Sequence, residues 1–223
     1  MSAGSGPALA WSGGKDSALA LWALRERGRA PGALLTTVTA DFDRVSMHGV
    51  RRSLLRAQAA ATGLGLVEVE IPAACTNEEY ERRMGAALAS PELAGVEEMA
   101  FGDLFLEDIR AYRETRLAAA GRRACFPLWG VDTGELARRF VAAGFRAILV
   151  CVDPRALDPA FAGRDYDERL LADLPAGVDP CGENGEFHTF ATAGPVFERP
   201  IDCLRGEVVE REGFVFCDLV DEG

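Results

Sequence analysis

Up to Val152, short apolar runs alternate with longer segments whose apolar positions recur at helical spacing. Pro7 to Trp11 and Ala33 to Val38 read as buried strands, and Leu66 to Ile71 as a strand stopped by Pro72. Val96 to Phe101, Ala124 to Trp129 and Arg146 to Val152 complete the strand set, the last being the most continuously apolar. Between them, Ser17 to Arg27, Val50 to Ala61, Asn77 to Leu88, Leu104 to Ala119 and Thr133 to Ala143 read as helices. The first offers Leu19, Leu21, Trp22 and Leu24 to a core. Gly63 is placed to end the second, and Thr76 with Glu79 to cap the third. Such regular alternation predicts an α/β fold with a parallel sheet covered by helices on both faces.

After Asp153 the pattern changes. Pro154, Pro159, Gly163, Pro175, Gly177 and Pro180 break the chain repeatedly, and short strands follow Pro195. Glu207 to Cys217 reads as a hairpin turning at Glu212-Gly213. The expected organisation is an α/β domain over residues 1–130 and a smaller α+β domain over residues 131–223.

Composition narrows the class. The chain has 223 residues, 48% hydrophobic and 26% charged, which matches a folded soluble protein and not a disordered one. No apolar run is long enough for a membrane span, and the start lacks the basic and apolar regions of a secretory signal, so a cytoplasmic protein is expected. The formal charge of -11 argues against a nucleic-acid scaffold. None of the six cysteines forms a C-x-x-C pair, so reduced, mostly buried thiols are expected and no zinc site. Lys15 is the single lysine, and His48 and His188 are the only histidines; each lies in a dense polar cluster.

Lys15 falls in Ser12-Gly13-Gly14-Lys15-Asp16-Ser17, between the first strand and the first helix. Adjacent glycines let a backbone approach an anion closely, and the first N–H groups of a helix point at the same place with the positive end of its dipole behind them. The two serine hydroxyls and a mobile Lys15 charge would complete a cradle for a polyphosphate. The letters match neither a Walker A loop nor G-x-G-x-x-G.

Three further clusters carry chemistry. Ser46 to Arg52 follows the second strand, where His48 and Arg51 are placed to meet phosphates or substrate. Phe101-Gly102-Asp103 ends another strand; Gly102 permits close approach of a nucleotide, and Asp103 either holds Mg²⁺ or caps the next helix. The densest stretch is Asp179-Pro180-Cys181-Gly182-Glu183-Asn184-Gly185-Glu186-Phe187-His188-Thr189. So polar a stretch cannot fill a core without partners, and it reads as a binding or catalytic loop. Glu183 and Glu186 are candidates to orient an amine, bind Mg²⁺ or act as a base, and His188 to move protons. Gly182, Asn184, Gly185 and Thr189 complete its substrate contacts.

The loop Ser12 to Ser17 resembles the pyrophosphate loop of ATP pyrophosphatases, which implies cleavage between the α- and β-phosphates. Together with S-M-H-G-V-R-R, F-G-D and D-P-C-G-E-N-G-E-F-H-T, the chain resembles the diphthine–ammonia ligase family from Leu9 to about Leu219. The resemblance implies a Rossmann-like, HUP-type sheet, ATP and Mg²⁺ as cofactors, and adenine held near Thr37 to Thr39. It implies an AMP-forming amide ligase: a carboxylate is adenylated, then ammonia or an amine displaces AMP. Within the family the carboxylate belongs to diphthine, a modified histidine on a translation elongation factor, and the resemblance implies that the chain corresponds to the catalytic core, with the extra C-terminal domains of larger relatives not expected. A small carboxylate is the other acceptor to consider. Lys15, Glu183, Glu186 and His188 are the expected catalytic residues. Adenylation of a nucleobase, and a non-catalytic ATP sensor, are the rival readings, and a homo-oligomer is compatible with either.

Overall fold

The computed structural model describes residues 6–46 and 48–222. Its first sheet is built from β1 (Ala8–Ala10), β2 (Ala33–Thr39), β3 (Arg44–Val45), β4 (Gly65–Ile71), β5 (Glu98–Ala100) and β6 (Arg123–Cys125). Five strands run parallel in the order β4-β2-β1-β5-β6, and β3 adds antiparallel to the end of β2 that β1 does not reach. The chain winds outward from β1 through β2 to β4, then crosses back to β5 and β6. The order therefore reverses beside β1, and a crevice opens where the loops after β1 and β5 part.

Helices α1 (Lys15–Glu26), α2 (Arg52–Thr62), α3 (Asn77–Leu88) and α4 (Glu107–Ala119) connect these strands. Thr76 accepts the Glu79 N–H at 3.2 Å to cap α3, and Gly63 ends α2 in the left-handed conformation, as the sequence pattern predicts. On one face of the sheet, Leu35, Met99, Leu88 and Leu117 share a core under α3 and α4. On the other, Leu9, Leu34, Leu54 and Leu55 join a larger core that runs into the second half of the chain.

α1 lies in the middle of that larger core. Leu19, Leu21 and Leu24 are buried as expected, but so are Ala18, Ala20 and Ala23 on its other sides, whereas Trp22 is only half-buried. A helix buried all round has an apolar layer on each side. Here the second layer is another sheet, and each enclosed leucine contributes roughly 1.5–3 kcal/mol.

The second sheet is antiparallel, in the order β8-β7-β10-β9, from β7 (Arg146–Val152), β8 (Phe187–Ala193), β9 (Cys203–Arg211) and β10 (Phe214–Asp221). α5 (Thr133–Ala142) and α6 (Glu168–Asp173) accompany it. Two expectations need correcting. Arg146 to Val152 does not extend the parallel sheet; it pairs antiparallel with β8 and β10, since a strand buried on both faces reads alike in either kind of sheet. Residues after Cys125 turn rather than continue β6, because Phe126 and Trp129 close a turn through the Trp129 N–H at 3.2 Å. The hairpin does turn at Glu212-Gly213, both with positive φ. The six cysteines are free, three buried and three half-buried. No helix among the described residues is long and apolar enough to cross a membrane.

Candidate functional site

Gly13 and Gly14 bend the chain out of β1 into α1 at the switch point. Gly13 has φ +79°, and a side chain there would meet the Gln58 amide oxygen at 2.7 Å. That closeness is used. Gln58, buried on α2, donates to the Gly13 carbonyl at 2.9 Å and to the Ala191 carbonyl at 2.6 Å, and accepts the Trp11 indole N–H at 3.0 Å. From the second sheet, the Ala191 N–H donates to the Gly13 carbonyl at 2.8 Å, and Thr189 Oγ1 accepts the Lys15 N–H at 3.0 Å. The glycine loop is thus clamped between α2 and β8.

A cavity of about 390 Å³ opens at this junction. It is lined from the first sheet by Ser12, Gly14, Lys15, Asp16, Ser17 and Thr37, and also by His48, Gly102 and Asp103. Gly182, Glu183, Gly185, His188 and Thr189 line it from the second half. Segments more than 160 residues apart, as Lys15 and Cys181 are at a separation of 166, meet here.

Lys15 is not the mobile charge its letters suggested. It is 2% exposed, and its ammonium donates to both Asp16 carboxylate oxygens at 2.8 and 2.7 Å and to the Cys181 carbonyl. The Tyr166 and Phe187 rings lie 5.8 Å from Nζ. Burial opposes the charge, but Asp16, the Cys181 thiol and Glu183 outweigh it and hold Lys15 above its ordinary range. Lys15 therefore ties the second half onto the glycine loop.

Other placements also depart from expectation. Gly102 lines the cavity and also packs closely on α1: a methyl there would lie 2.9 Å from the Asp16 carbonyl carbon. Because backbone cannot yield, Gly102→Ala is expected to cost about 1–3 kcal/mol, read by denaturant melts. Asp103 neither caps α4, whose N-cap is Leu106, nor sits in a metal cluster; it binds Arg113 at 2.6 and 3.1 Å. Among the described residues no group of three or more His, Cys, Asp or Glu is placed to hold a metal. Arg51 is turned from the cavity to Asp218. Glu186 is buried outside the cavity, where its Oε1 accepts the Asp179 N–H at 2.9 Å and the Asn184 amide at 3.1 Å. Glu186 and Asn184 shape the turn instead of facing the cleft. Asp179 shapes it too, accepting from the Cys181 and Glu183 N–H groups at 2.9 and 3.2 Å and from the Thr133 hydroxyl at 2.6 Å. His188 and Thr189 lie not on a loop but on β8.

Glu183 and His188 line the cavity as expected, alongside Lys15, Asp16, His48 and Asp103. Glu183 Oε1 accepts the Leu104 N–H at 2.7 Å. Burial raises its carboxyl to about 7, against the pull of that hydrogen bond and of Lys15. Burial and then Lys15 lower His188 to about 4. Its ring centroid is 4.5 Å from that of His48, which burial and His188 also hold well below the usual imidazole range. Both imidazoles are neutral at pH 7.

These shifts act on stability in opposite senses. Between pH 4.5 and about 7, the folded chain keeps a proton on Glu183 that the unfolded chain has released, so this group weakens the fold as pH rises. From 6.5 down to about 4, the unfolded chain protonates His188 while the folded chain does not, so this contribution is complete above 6.5 and lost on acidification. Glu183→Gln removes only the first effect. Its Tm should therefore fall more steeply than that of the parent between pH 7 and 5; parallel curves would contradict the assignment.

Gln58 and Tyr166 support the site from outside every motif, whereas Asp179 opens the densest stretch and holds its turn. Gln58 had a signal: it is a lone amide among Leu54, Leu55, Ala59 and Ala61 on the buried side of α2. Tyr166, whose hydroxyl donates to the Pro180 carbonyl at 2.6 Å, had none.

A doubly wound sheet whose switch-point crevice is closed by a second, antiparallel sheet defines an α/β protein with its cleft between two sheets. The chain belongs to the diphthamide synthase family: models described as the diphthamide synthase N-terminal and C-terminal domains match residues 6–124 and 132–220. Diphthine–ammonia ligase of Schizosaccharomyces pombe is 29% identical over 119 residues, which is 50% of this chain and 20% of that protein. Those of Bos taurus and Homo sapiens are each 31% identical over 97 residues, 41% of this chain and 36% of theirs. The matches thus span between a fifth and somewhat over a third of these relatives. A crystal structure described as a predicted subunit of tRNA methyltransferase from Methanocaldococcus jannaschii is similar with a TM-score of 0.39 at 15% identity, over 65% of this chain and 77% of that one.

Proposed function

We propose that this chain is an ATP-dependent, AMP-forming amide ligase of the diphthine–ammonia ligase type. The observation that carries this reading is the shared cavity: the glycine loop on one wall, and Glu183 with His188 on the other. The amino end of α1, with the N–H groups of Asp16 and Ser17 and the Ser12 and Ser17 hydroxyls, holds the β- and γ-phosphates of ATP. Ala10, Leu35 and Met99 give the same cavity apolar lining and Thr37 a polar one, which suits adenine. Asp16 and Glu183 line the cavity, and a Mg²⁺ carried in with the nucleotide would offset the phosphate charge beside them.

The acceptor carboxylate attacks the α-phosphorus, and the bond to pyrophosphate breaks. Ammonia then adds to the acyl carbon of the resulting acyl-adenylate, and the bond to AMP breaks. Ammonia reaches the site mostly as ammonium, so a base must take a proton first. Glu183, raised to about 7, takes that proton. The neutral His188 imidazole faces the same space, where it accepts a hydrogen bond from the attacking ammonia, and the proton lost as the amide forms leaves to solvent. The acceptor is a protein-borne carboxylate of the diphthine kind.

Acceptor-dependent exchange of labelled pyrophosphate into ATP, measured without ammonia, tests the reading. Exchange that requires the acceptor supports adenylation. ADP formation without exchange overturns it.

A further inference from the structure

We propose that Asp218 is a positioning residue for the cleft: through Arg44 and Arg51 it holds the 44–51 turn so that His48 stays between the glycine loop and His188. The turn leaves the end of β2 and carries His48 over the loop, where the ring carbon Cε1 would lie 3.4 Å from a methyl on Gly14. Its backbone is closed by the Val45 N–H on the Val50 carbonyl at 2.8 Å and the Arg52 N–H on the Asp43 carbonyl at 3.0 Å. That closure sets Arg44 and Arg51 opposite each other as an antiparallel bridge. Two guanidinium groups facing across such a pair repel.

Asp218, on β10 of the second sheet, resolves the conflict. Its Oδ1 accepts from Arg44 at 2.7 Å and its Oδ2 from Arg51 at 2.7 Å. Arg44 also donates to the Gly49 carbonyl at 2.6 Å, and Gly49 lies against the Phe216 ring of the same strand. Burial alone would raise the Asp218 carboxyl, but Arg51 and Arg44 outweigh it and hold it below its usual range. The turn belongs to the first half of the chain, yet what closes it comes from β10. The partner of His48, His188, comes from β8 in that same sheet. Asp218 does not line the cavity and acts only through the turn.

The test needs no knowledge of the acceptor, because the chain has only two histidines and hence two ring Cε1–Hε1 signals. His48→Ala assigns them. Rings whose centroids are 4.5 Å apart give a nuclear Overhauser effect between them. Asp218→Asn keeps the shape and removes the charge; it is expected to abolish that effect, and Asp218→Glu to restore much of it. The kinetic arm rests on the ligase reading: Asp218→Asn lowers kcat by roughly tenfold to a hundredfold, as when a site shifts by about an ångström. Combined with His48→Ala it is then no slower than His48→Ala alone. Should Asp218→Asn fail to fold, Arg51→Gln, at a more exposed position, breaks the same bridge. An undiminished effect between the rings, or rate losses that multiply in the double variant, overturns the proposal. A parent chain that makes no AMP defeats the ligase reading and leaves the spectroscopic arm standing.

Discussion

Glu183→Gln is expected to lower the rate of amide formation by roughly 10²- to 10⁴-fold, the range supplied by one positioned acid–base group. The substitution keeps the shape of the side chain, and the amide oxygen can still accept the Leu104 N–H that the carboxylate accepts at 2.7 Å. What it removes is a group that changes protonation near neutrality. Burial in the cleft raises Glu183 to about 7, with Asp16 and Asp103 adding to the rise and Leu104 and Lys15 opposing it. In the parent, the rate at saturating ATP should climb through about pH 7 as the carboxylate forms and can take a proton from ammonium. In the variant that limb should be absent. Rate–pH profiles of the two proteins check this, and a variant that retains both its rate and the limb removes Glu183 from the chemistry.

Gln58→Leu should have the largest effect on the fold itself. Gln58 is fully buried and makes three hydrogen bonds, to the Trp11 indole, the Gly13 carbonyl and the Ala191 carbonyl. Leucine fills similar space but satisfies none of them. The Gly13 carbonyl keeps the Ala191 N–H, whereas the indole N–H is left buried and unpaired. Each such orphaned group costs about 1–3 kcal/mol, so a loss of about 3 kcal/mol is expected. For a chain of this size that lowers Tm by roughly 6–12 °C. On the proposed ligase reading, the loop that Gln58 clamps also loosens, so the KM for ATP is expected to rise, while a ligand-independent contact elsewhere would leave it unchanged. Calorimetric melts with and without ATP separate the two effects. A variant as stable as the parent would show that the three bonds contribute little.

What could be read from the sequence was local. The alternation of apolar runs and helical spacing carries the parallel sheet, because strand and helix periods are set by neighbours along the chain. The place of Ser12 to Ser17, running from the loop after β1 into the first turn of α1, is local in the same way, and so are Thr76 and Gly63 at helix ends. The failures involve partners distant in sequence. Nothing near Lys15 indicates that the Cys181 carbonyl and the Tyr166 and Phe187 rings enclose it. Nothing near Arg51 indicates that Asp218, 167 residues on, turns it away from the cleft. Glu183 and Glu186 look alike in the motif, three residues apart. They separate because the turn held by Asp179 sends one carboxylate to the cavity wall and the other inside. β8 is hidden because polar His188 and Thr189 near its start read as loop, and because Thr189, Phe190 and Ala191 are buried in succession, so the strand lacks the alternation that would mark it.

The most direct measurement is the fate of ATP labelled at the α-phosphate, incubated with the protein, a diphthine-bearing acceptor and ammonium. Labelled AMP, formed one for one with amide and dependent on both co-substrates, is the expected product. Label appearing in ADP, or remaining in ATP while amide forms, would contradict a glycine loop that holds the outer phosphates and leaves the inner phosphorus open to attack.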